Sequence, residues 1–297
     1  MKMVEIRRLS ECTVEQGVEA WNKGFESYHF DMTTTPKAFR KRMNQEGLSR
    51  ELSVVAFDGE EPVGLVLNGI REFAGRKIGW NGGTGVAMSC RKKGVGMQLM
   101  EKTLEILKEQ DVEVATLEAI SGNEKAIALY RKLGYEIVDE LHFMKLDGAV
   151  EEKVTHASRD YGIRKADPEE IGQLPFYRGD FPWQIQWQSV RDGGEGLIAF
   201  NEERQQTGYA FFRKLTDEEG KHSRTILYQC ETASDEKARE EITNALLNRV
   251  FGNFADAISR TAVNVPVSAN AVTYKVLQDR GFEKNISQVF MKKELKE

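Results

Sequence analysis

Residues 86–100 read Val-Ala-Met-Ser-Cys-Arg-Lys-Lys-Gly-Val-Gly-Met-Gln-Leu-Met, which is a strand, then a basic loop with two glycines, then the start of a helix. Apolar residues recur at helical spacing after the loop and predict an amphipathic helix over residues 95–109. The first turn of such a helix directs backbone N–H groups and the positive end of its dipole at one point. Gly94 and Gly96 leave that point open because they carry no Cβ. The stretch therefore predicts a phosphate-binding site.

The loop does not fit two common phosphate-binding patterns. A GxxxxGK[ST] segment is absent, and the third glycine of a GxGxxG fingerprint would stand where the chain has Leu99. Arg91, Lys92 and Lys93 supply positive charge, and no acidic residue occurs within residues 86–100. The spacing that the loop does satisfy is Arg-x-x-Gly-x-Gly, beginning at Arg91.

A second motif follows on the C-terminal side of the loop. Residues 117–135 read Leu-Glu-Ala-Ile-Ser-Gly-Asn-Glu-Lys-Ala-Ile-Ala-Leu-Tyr-Arg-Lys-Leu-Gly-Tyr. In this order and spacing, the two motifs resemble those of the GCN5-related N-acetyltransferase (GNAT) family, whose second signature is matched at every defined position. The resemblance covers the first half of the chain. It departs from the family's usual pattern at Met88, Cys90 and Lys92, where proline, an aromatic residue and glycine are common.

The resemblance implies that the co-substrate is acetyl-CoA, with its pyrophosphate on the loop and its pantetheine arm along the preceding strand. On this basis we expect cofactor contacts from Val86, Ala87, Met88, Arg91, Lys92, Lys93, Gly94, Val95, Gly96, Met97, Asn123 and Tyr130. Asn123 precedes a predicted helix, so N-capping is an alternative or additional role for its side chain. The four histidines show no metal-ligand spacing, and no metal is expected.

Acetyl transfer to an amine needs a base that removes a proton from the amine and an acid that protonates the departing thiolate. The resemblance assigns the acid role to Tyr130, whose phenol is a donor at neutral pH. Packing on the apolar face of its helix is the alternative. Glu118 is the candidate base, because burying a carboxylate among apolar strand residues costs free energy and so indicates a functional role. The matching glutamate has that role in the ribosomal-protein acetyltransferase branch of the family, although other members use different bases.

Two segments are candidates for the acceptor site. A strand predicted over residues 78–88 is rich in glycine, which is typical of strands whose backbone something must approach closely. Its residues Trp80 and Asn81 are expected to form the floor of the pocket, with a bulge or a loop as the alternative. Tyr28 and Phe30 fall between two predicted helices, where acceptor sites of the family are often built. Ordinary helix packing is the alternative there.

The chain repeats itself at an offset of 147 residues. Gly134-Tyr-Glu recurs as Gly281-Phe-Glu, and Phe-Met-Lys follows in both copies at the same offset. Each copy has helical patterns first, then hairpin strands, then alternating strands and helices. We therefore predict an α/β protein (α+β in some schemes) of two tandem GNAT-like domains, each a mixed, mostly antiparallel sheet flanked by helices. The predicted boundaries are 1–147 for the catalytic domain, 148–159 for a linker and 160–297 for a degenerate copy.

The second copy lacks the chemistry of the first. At the offset of the phosphate loop it has no glycines and carries acidic residues, whose charge opposes pyrophosphate binding: Asp235, Glu236, Glu240 and Glu241. Leu277 occupies the position of Tyr130, and Tyr274 lies on a different face of the predicted helix. We therefore expect the second copy to keep the fold without the cofactor site.

The composition of the chain excludes several other classes of protein. The chain has 297 residues, 40% hydrophobic and 30% charged, with a formal net charge of -5. This suits two globular domains and argues against a nucleic-acid coat, which needs a basic surface. The three scattered cysteines indicate no disulfide framework, and neither a membrane span nor a signal peptide is recognised. We expect a cytoplasmic protein without membrane or nucleic-acid partners.

The sequence thus predicts an acetyl-CoA-dependent N-acetyltransferase that is active in its first half. Its acceptor is expected to be a primary amine of a small molecule, or a peptide N-terminus or lysine. The negative net charge is compatible with basic acceptors such as polyamines or aminoglycosides, and tandem mycothiol synthases acetylate a sugar amine, but nothing selects among these. The alternative function is a non-catalytic acyl-CoA-binding or scaffold protein on the same fold.

Overall fold

The computed structural model describes residues 4–26, 28, 30–149, 161–233, 238–252 and 254–296. The chain forms two compact units. Unit 1 comprises Met1–Val138 and Phe290–Glu297, and unit 2 comprises Asp139–Val289. Each unit has a mostly antiparallel sheet flanked by helices, which confirms the predicted fold class. No helix in the described part of the chain is long and apolar enough to cross a membrane.

Unit 1 contains the following elements in chain order: β1 (Glu5–Arg8), α1 (Val14–Gly24), α2 (Pro36–Glu46), β2 (Ser49–Asp58), β3 (Glu61–Phe73), β4 (Arg76–Val86), α3 (Val95–Glu109), β5 (Val114–Ile120) and α4 (Glu124–Lys132). The strands are adjacent in the order β1-β2-β3-β4-β5. All neighbours are antiparallel except β4 and β5, which run parallel. Helix α3 is the helix predicted over residues 95–109.

Unit 2 begins within strand β6 (Glu136–Asp147), whose first residues belong to unit 1. The further elements are β7 (Gly162–Ala166), α5 (Pro168–Ile171), α6 (Trp187–Val190), β8 (Glu195–Phe200), β9 (Gln206–Thr216), β10 (His222–Thr232), α7 (Arg239–Phe251), β11 (Ser259–Pro266), α8 (Ala271–Asp279) and β12 (Glu283–Glu294). Strand order in unit 2 is β12-β6-β11-β10-β9-β8-β7. Only β10 and β11 pair in parallel among the strand pairs described for this unit.

The compact units do not coincide with the two copies of the sequence. Residues of β6, from the first copy, pair with β11 in unit 2. Phe290–Glu297, from the end of the second copy, belongs to unit 1. There the Leu295 N–H donates to the Glu113 carbonyl at 2.7 Å, and Glu294 forms an ion pair with Arg76 at 2.6 Å. The predicted boundaries stay a proposal about the copies, and almost all of the predicted linker lies outside the described residues.

Capping residues fix the two helices at the start of unit 1. Thr13 accepts a hydrogen bond from the Gln16 N–H at 3.1 Å, and the Gln16 side chain accepts one from the Thr13 N–H at 2.9 Å. This reciprocal capping box begins α1. Helix α2 begins after Thr35 with a proline in its first turn and ends at Gly47, whose φ of 66° is left-handed.

The pairing of β4 with β5 stops early. The parallel register runs only from Ile78 opposite Val114 to Asn81 opposite Leu117, although β4 continues to Val86. Beyond Asn81 the two strands are not paired with each other in the described structure, so their carboxyl ends leave an opening between them. The strand predicted over residues 78–88 is displaced by two residues at both ends, since β4 spans Arg76–Val86 and a 3-10 turn over Met88–Cys90 follows Ala87.

Helix α1 contacts β4 backbone to backbone. A Cβ built on Gly24 would lie 2.8 Å from both the Cα and the carbonyl carbon of Gly85. We expect Gly24→Ala to lower the free energy of unfolding by about 1–3 kcal/mol, because backbone atoms cannot move aside as a flexible side chain can. Gly122→Ala is the matched control, since nothing lies within 4 Å of its added Cβ. Denaturant titration of both variants checks this, and equal stabilities would contradict it.

Candidate active site

The first turn of α3 has the features of an anion site. Gly94 is the N-cap residue with a φ of 86°, and no side chain caps the helix or places an acid in its first turn. Lys92 and Lys93 are exposed beside it, and Lys92 has a φ of 60°. A Cβ on Gly96 would meet only Leu129 at 3.4 Å and Val86 at 3.8 Å, so this side of the turn is open. The donor set therefore fits a pyrophosphate.

Arg91 is placed differently from its two basic neighbours. Its Nε donates to the Val86 carbonyl at 2.9 Å, and its Nη2 donates to the carbonyls of Gly24 at 3.2 Å and Glu26 at 3.3 Å. The guanidinium is thus directed at backbone oxygens at the ends of β4 and α1. Its predicted contact with the cofactor stays a prediction, and its observed partners are within the protein.

Tyr130 lies at the opening between β4 and β5. The side chain is buried, with 6% of the residue exposed, and its hydroxyl forms a hydrogen bond with the Thr84 side chain. Burial raises the pKa of the Tyr130 phenol, and the Thr84 bond partly opposes the rise. Tyr28 is close enough for its charge to affect Tyr130. The phenol therefore remains protonated, as a proton donor must, through neutral pH.

Thr84 is a site residue that the sequence interpretation missed. Its Oγ1 bonds to Tyr130 and accepts from the Asn81 amide at 2.8 Å. The strand bulges between the pairs Leu67–Gly83 and Asn68–Asn81, and this brings Thr84 back to the face of Asn81. The sequence did offer one indication of this role, since Thr84 is the only residue with a hydroxyl group in the glycine-rich part of the strand.

Trp80 and Asn81, predicted as the acceptor floor, are both buried and bonded within the protein. The Asn81 amide donates to Thr84, and its carbonyl oxygen accepts from the Gly83 N–H at 3.0 Å. The Trp80 Nε1 donates to Glu118 Oε2 at 2.7 Å. The predicted alternative of a bulge therefore occurs within a continuous strand, and no loop interrupts it. A role in acceptor binding stays a prediction.

Other parts of the protein occupy the space beside the glycines of β4. A Cβ on Gly83 would lie 3.0 Å from Trp21, and one on Gly85 would lie 3.0 Å from Gly24 and Phe25. The close approach that the sequence predicted is thus made by α1 and its aromatic residues.

The predicted acceptor residues Tyr28 and Phe30 form a short aromatic series after α1. Phe25 and Tyr28 have ring centroids 5.3 Å apart, and Tyr28 and Phe30 are 6.5 Å apart. Phe30 is 46% exposed, whereas burial raises the pKa of Tyr28. The structure therefore brings Tyr28 to Tyr130 and leaves Phe30 facing solvent.

The remaining predicted cofactor residues have the following contacts and exposures. Asn123 Oδ1 accepts from the Ala126 N–H at 3.3 Å, so the predicted N-cap role is present. The Ala87 N–H donates to the Val63 carbonyl at 2.8 Å, and Arg91 bonds to the Val86 carbonyl. Met88 is 55% exposed, Val95 is buried and Met97 is partly buried.

The equivalent region of unit 2 differs in charge. The first turn of α7 carries Glu240 and Glu241, where α3 has no acid. Leu277, at the position of Tyr130, is fully buried, and the Tyr274 hydroxyl bonds to His142 Nδ1 at 2.8 Å. The predicted acids Asp235 and Glu236 lie outside the described residues. Among the described residues, no group of three His, Cys, Asp or Glu side chains could hold a metal.

Comparison with known proteins agrees with this geometry. Residues 14–135 match the model of the Acetyltransferase (GNAT) family. The comparison with curated proteins found no match.

Solved structures of GNAT proteins share the fold of the whole chain. A tandem GNAT protein from the clavulanic acid biosynthesis pathway, solved without AcCoA, is 14% identical with a TM-score of 0.59, covering 99% of both chains. A GCN5-related N-acetyltransferase from Sphaerobacter thermophilus is 13% identical with a TM-score of 0.63, covering 99% of this chain and 96% of that one. The chain therefore has the tandem GNAT fold, and the predicted resemblance is confirmed.

A third structure is much longer than this chain. It contains the GCN5-related glucosamine N-acetyltransferase region of a fungal multi-domain GH3 beta-N-acetylglucosaminidase, and is 17% identical with a TM-score of 0.66. The match covers 97% of this chain but 38% of that one.

Proposed function

We propose that this protein is an acetyl-CoA-dependent N-acetyltransferase whose active site lies in unit 1. The observation that carries the proposal is the opening between the carboxyl ends of β4 and β5, with the acid-free first turn of α3 and the Tyr130 hydroxyl beside it. Acetyl-CoA supplies an activated acyl group as a thioester when bound. The GNAT family match over residues 14–135 supports the same reaction class.

In this mechanism Lys92, Lys93 and the N–H groups of the first turn of α3 hold the pyrophosphate. Glu118 removes a proton from the acceptor amine, directly or through a water molecule. The neutral nitrogen then forms the new amide bond as the carbon–sulfur bond breaks, and it loses its remaining extra proton to water, from which Tyr130 later recovers the proton that it gives up. Tyr130 donates its proton to the departing sulfur, and Thr84 orients the phenol through their hydrogen bond.

The acceptor is proposed to be a primary amine, on a small molecule or at a peptide N-terminus or lysine. The negative net charge is compatible with basic acceptors, and a cytoplasmic location is part of the same proposal. Unit 2 is proposed to have no cofactor site, because the acids in the first turn of α7 would repel a pyrophosphate.

Calorimetric titration with acetyl-CoA tests the proposal. We expect one site per chain, and we expect Gly94→Glu to weaken binding by about a hundredfold or more, because it adds a negative charge and a Cβ at a left-handed φ. Gly220→Glu is the matched control, since Gly220 has a φ of 79° with open space around it in unit 2. The Gly220→Glu variant should bind acetyl-CoA with the affinity of the unmodified protein.

Other outcomes of the titration decide against parts of the proposal. Two sites per chain would show that unit 2 also binds the cofactor. Absence of binding would favour a scaffold function for the chain. Binding without turnover in a screen of amine acceptors would favour the non-catalytic acyl-CoA-binding alternative.

A further inference from the structure

Arg91 connects two parts of unit 1 that are far apart in the sequence. One guanidinium donates to the carbonyl of Val86, at the end of β4, and to the carbonyls of Gly24 and Glu26, at the end of α1. The last carbonyls of a helix have no partners within the helix. A cation placed there satisfies them and interacts favourably with the negative end of the helix dipole. Arg91 therefore acts as a C-terminal cap for α1.

The capped segment leads directly to the candidate acceptor residues. Beyond Gly24 the chain passes Phe25 and Glu26 to Tyr28, whose N–H donates to the Phe25 carbonyl at 3.0 Å. Tyr28 in turn lies near Tyr130. We name the described residues 24–26, 28, 30 and 31 the acceptor-side segment. Its position depends on the carbonyls that Arg91 holds.

The backbone of Arg91 lies in the phosphate loop. Lys92, the next residue, is held at a φ of 60°, and Gly94 follows at 86°. Lys92 is a non-glycine residue in the left-handed region, a conformation that persists only where the surrounding structure holds it. An anion on the first turn of α3 would hold this backbone, and Arg91 with it.

We propose that Arg91 is a positioning residue that transmits occupancy of the phosphate loop to the acceptor-side segment, rather than a direct ligand of the pyrophosphate. The inference rests on the proposed function, because it takes acetyl-CoA as the molecule that occupies the loop. It adds a role for a residue whose charge alone suggested a phosphate contact. The planar guanidinium suits this role, since its several N–H donors reach three carbonyls that one ammonium group could not bind in the same way.

Hydrogen exchange in peptides covering residues 22–31, with and without saturating acetyl-CoA, tests the proposal. Arg91→Gln removes the three contacts and one charge, and Lys93→Gln removes one charge from the same loop without those contacts. Arg91→Lys retains the charge and loses the planar geometry. Calorimetry on each variant gives the acetyl-CoA concentration that saturates it.

Without ligand, we expect exchange in this segment to be about tenfold faster in Arg91→Gln and Arg91→Lys than in Lys93→Gln. Acetyl-CoA should slow exchange there in the unmodified protein and in Lys93→Gln, but not in either Arg91 variant. A merely structural role would raise exchange equally in both states and leave the response to acetyl-CoA intact.

That retained response would overturn the proposal, as would unchanged exchange in Arg91→Gln. A hundredfold loss of acetyl-CoA affinity in Arg91→Gln, with only a small loss in Lys93→Gln, would also overturn it by showing a direct phosphate contact. If the unmodified protein binds no acetyl-CoA, the proposed function fails, while the comparison without ligand still measures the contacts of Arg91.

Discussion

Tyr130→Phe is expected to lower kcat for acetyl transfer by about a hundredfold or more, the usual contribution of a positioned general acid. The substitution removes the one proton that the phenol can give to the departing thiolate and leaves the buried ring in place. Acetyl-CoA affinity should change little, because the proposed pyrophosphate site at α3 is untouched. Steady-state kinetics and calorimetry on the same preparation measure the two effects.

Tyr135→Phe provides a matched control five residues away. Tyr135 is also buried, its ring centroid lies 6.0 Å from that of Tyr130, and its hydroxyl has no hydrogen-bond partner in the described part of the chain. Losing that hydroxyl should leave kcat nearly unchanged. Equal losses in the two variants, or full activity in Tyr130→Phe, would remove Tyr130 from the mechanism.

Glu231→Gln is expected to stabilise unit 2 at neutral and alkaline pH. Burial raises the pKa of Glu231 to about 8 in the folded protein, from an ordinary value near 4.5, although Arg178 and Arg239 oppose the rise. One of its oxygens, Oε1, is buried without a hydrogen-bond partner among the described residues. Ionisation in that environment is costly, so the folded state prefers the protonated carboxyl.

The pH dependence follows from these two pKa values. The folded state binds the proton more tightly than the unfolded state, so stability is greatest below pH 4.5 as far as this group is concerned. It falls as the pH rises toward 8, by at most about 5 kcal/mol, and then levels off. Glutamine has no such proton, so Glu231→Gln should flatten this part of the curve.

Denaturant titrations from pH 5 to 9 measure this slope. Glu218→Gln, which changes an exposed glutamate of unit 2, should keep the slope of the unmodified protein. If Glu231→Gln and Glu218→Gln give parallel curves, Glu231 is ionised in the folded protein and the argument from burial is wrong.

The Arg-x-x-Gly-x-Gly loop and the second motif could be recognised from the sequence because each is a local pattern. The spacing of Gly94 from Arg91 lies within one turn that precedes a helix. The spacing of Tyr130 from Asn123 lies within one helix and its N-cap residue. The helix over residues 95–109 was also predicted with the observed bounds. Such features depend on a few neighbouring residues, and sequence patterns report those well.

Features that depend on distant pairing could not be predicted in this way. The carbonyl partners of Arg91 at and just after the end of α1 lie 67 and 65 residues away in the chain. Thr84 reaches Tyr130 only because a bulge shifts the register of β4 against β3. Likewise, the sequence indicates a strand near residue 290 but not the sheet that receives it.

The position of residues 290–296 in unit 1 affects how the protein folds during its synthesis. A ribosome completes the first copy roughly ten to thirty seconds before it delivers these residues, at ordinary rates of synthesis. Until then β5 is a sheet edge without the neighbour that β12 later provides, and exposed edges invite pairing with other chains. Nascent chains of this protein therefore pass through a period in which the edge of β5 in unit 1 is open to misassembly.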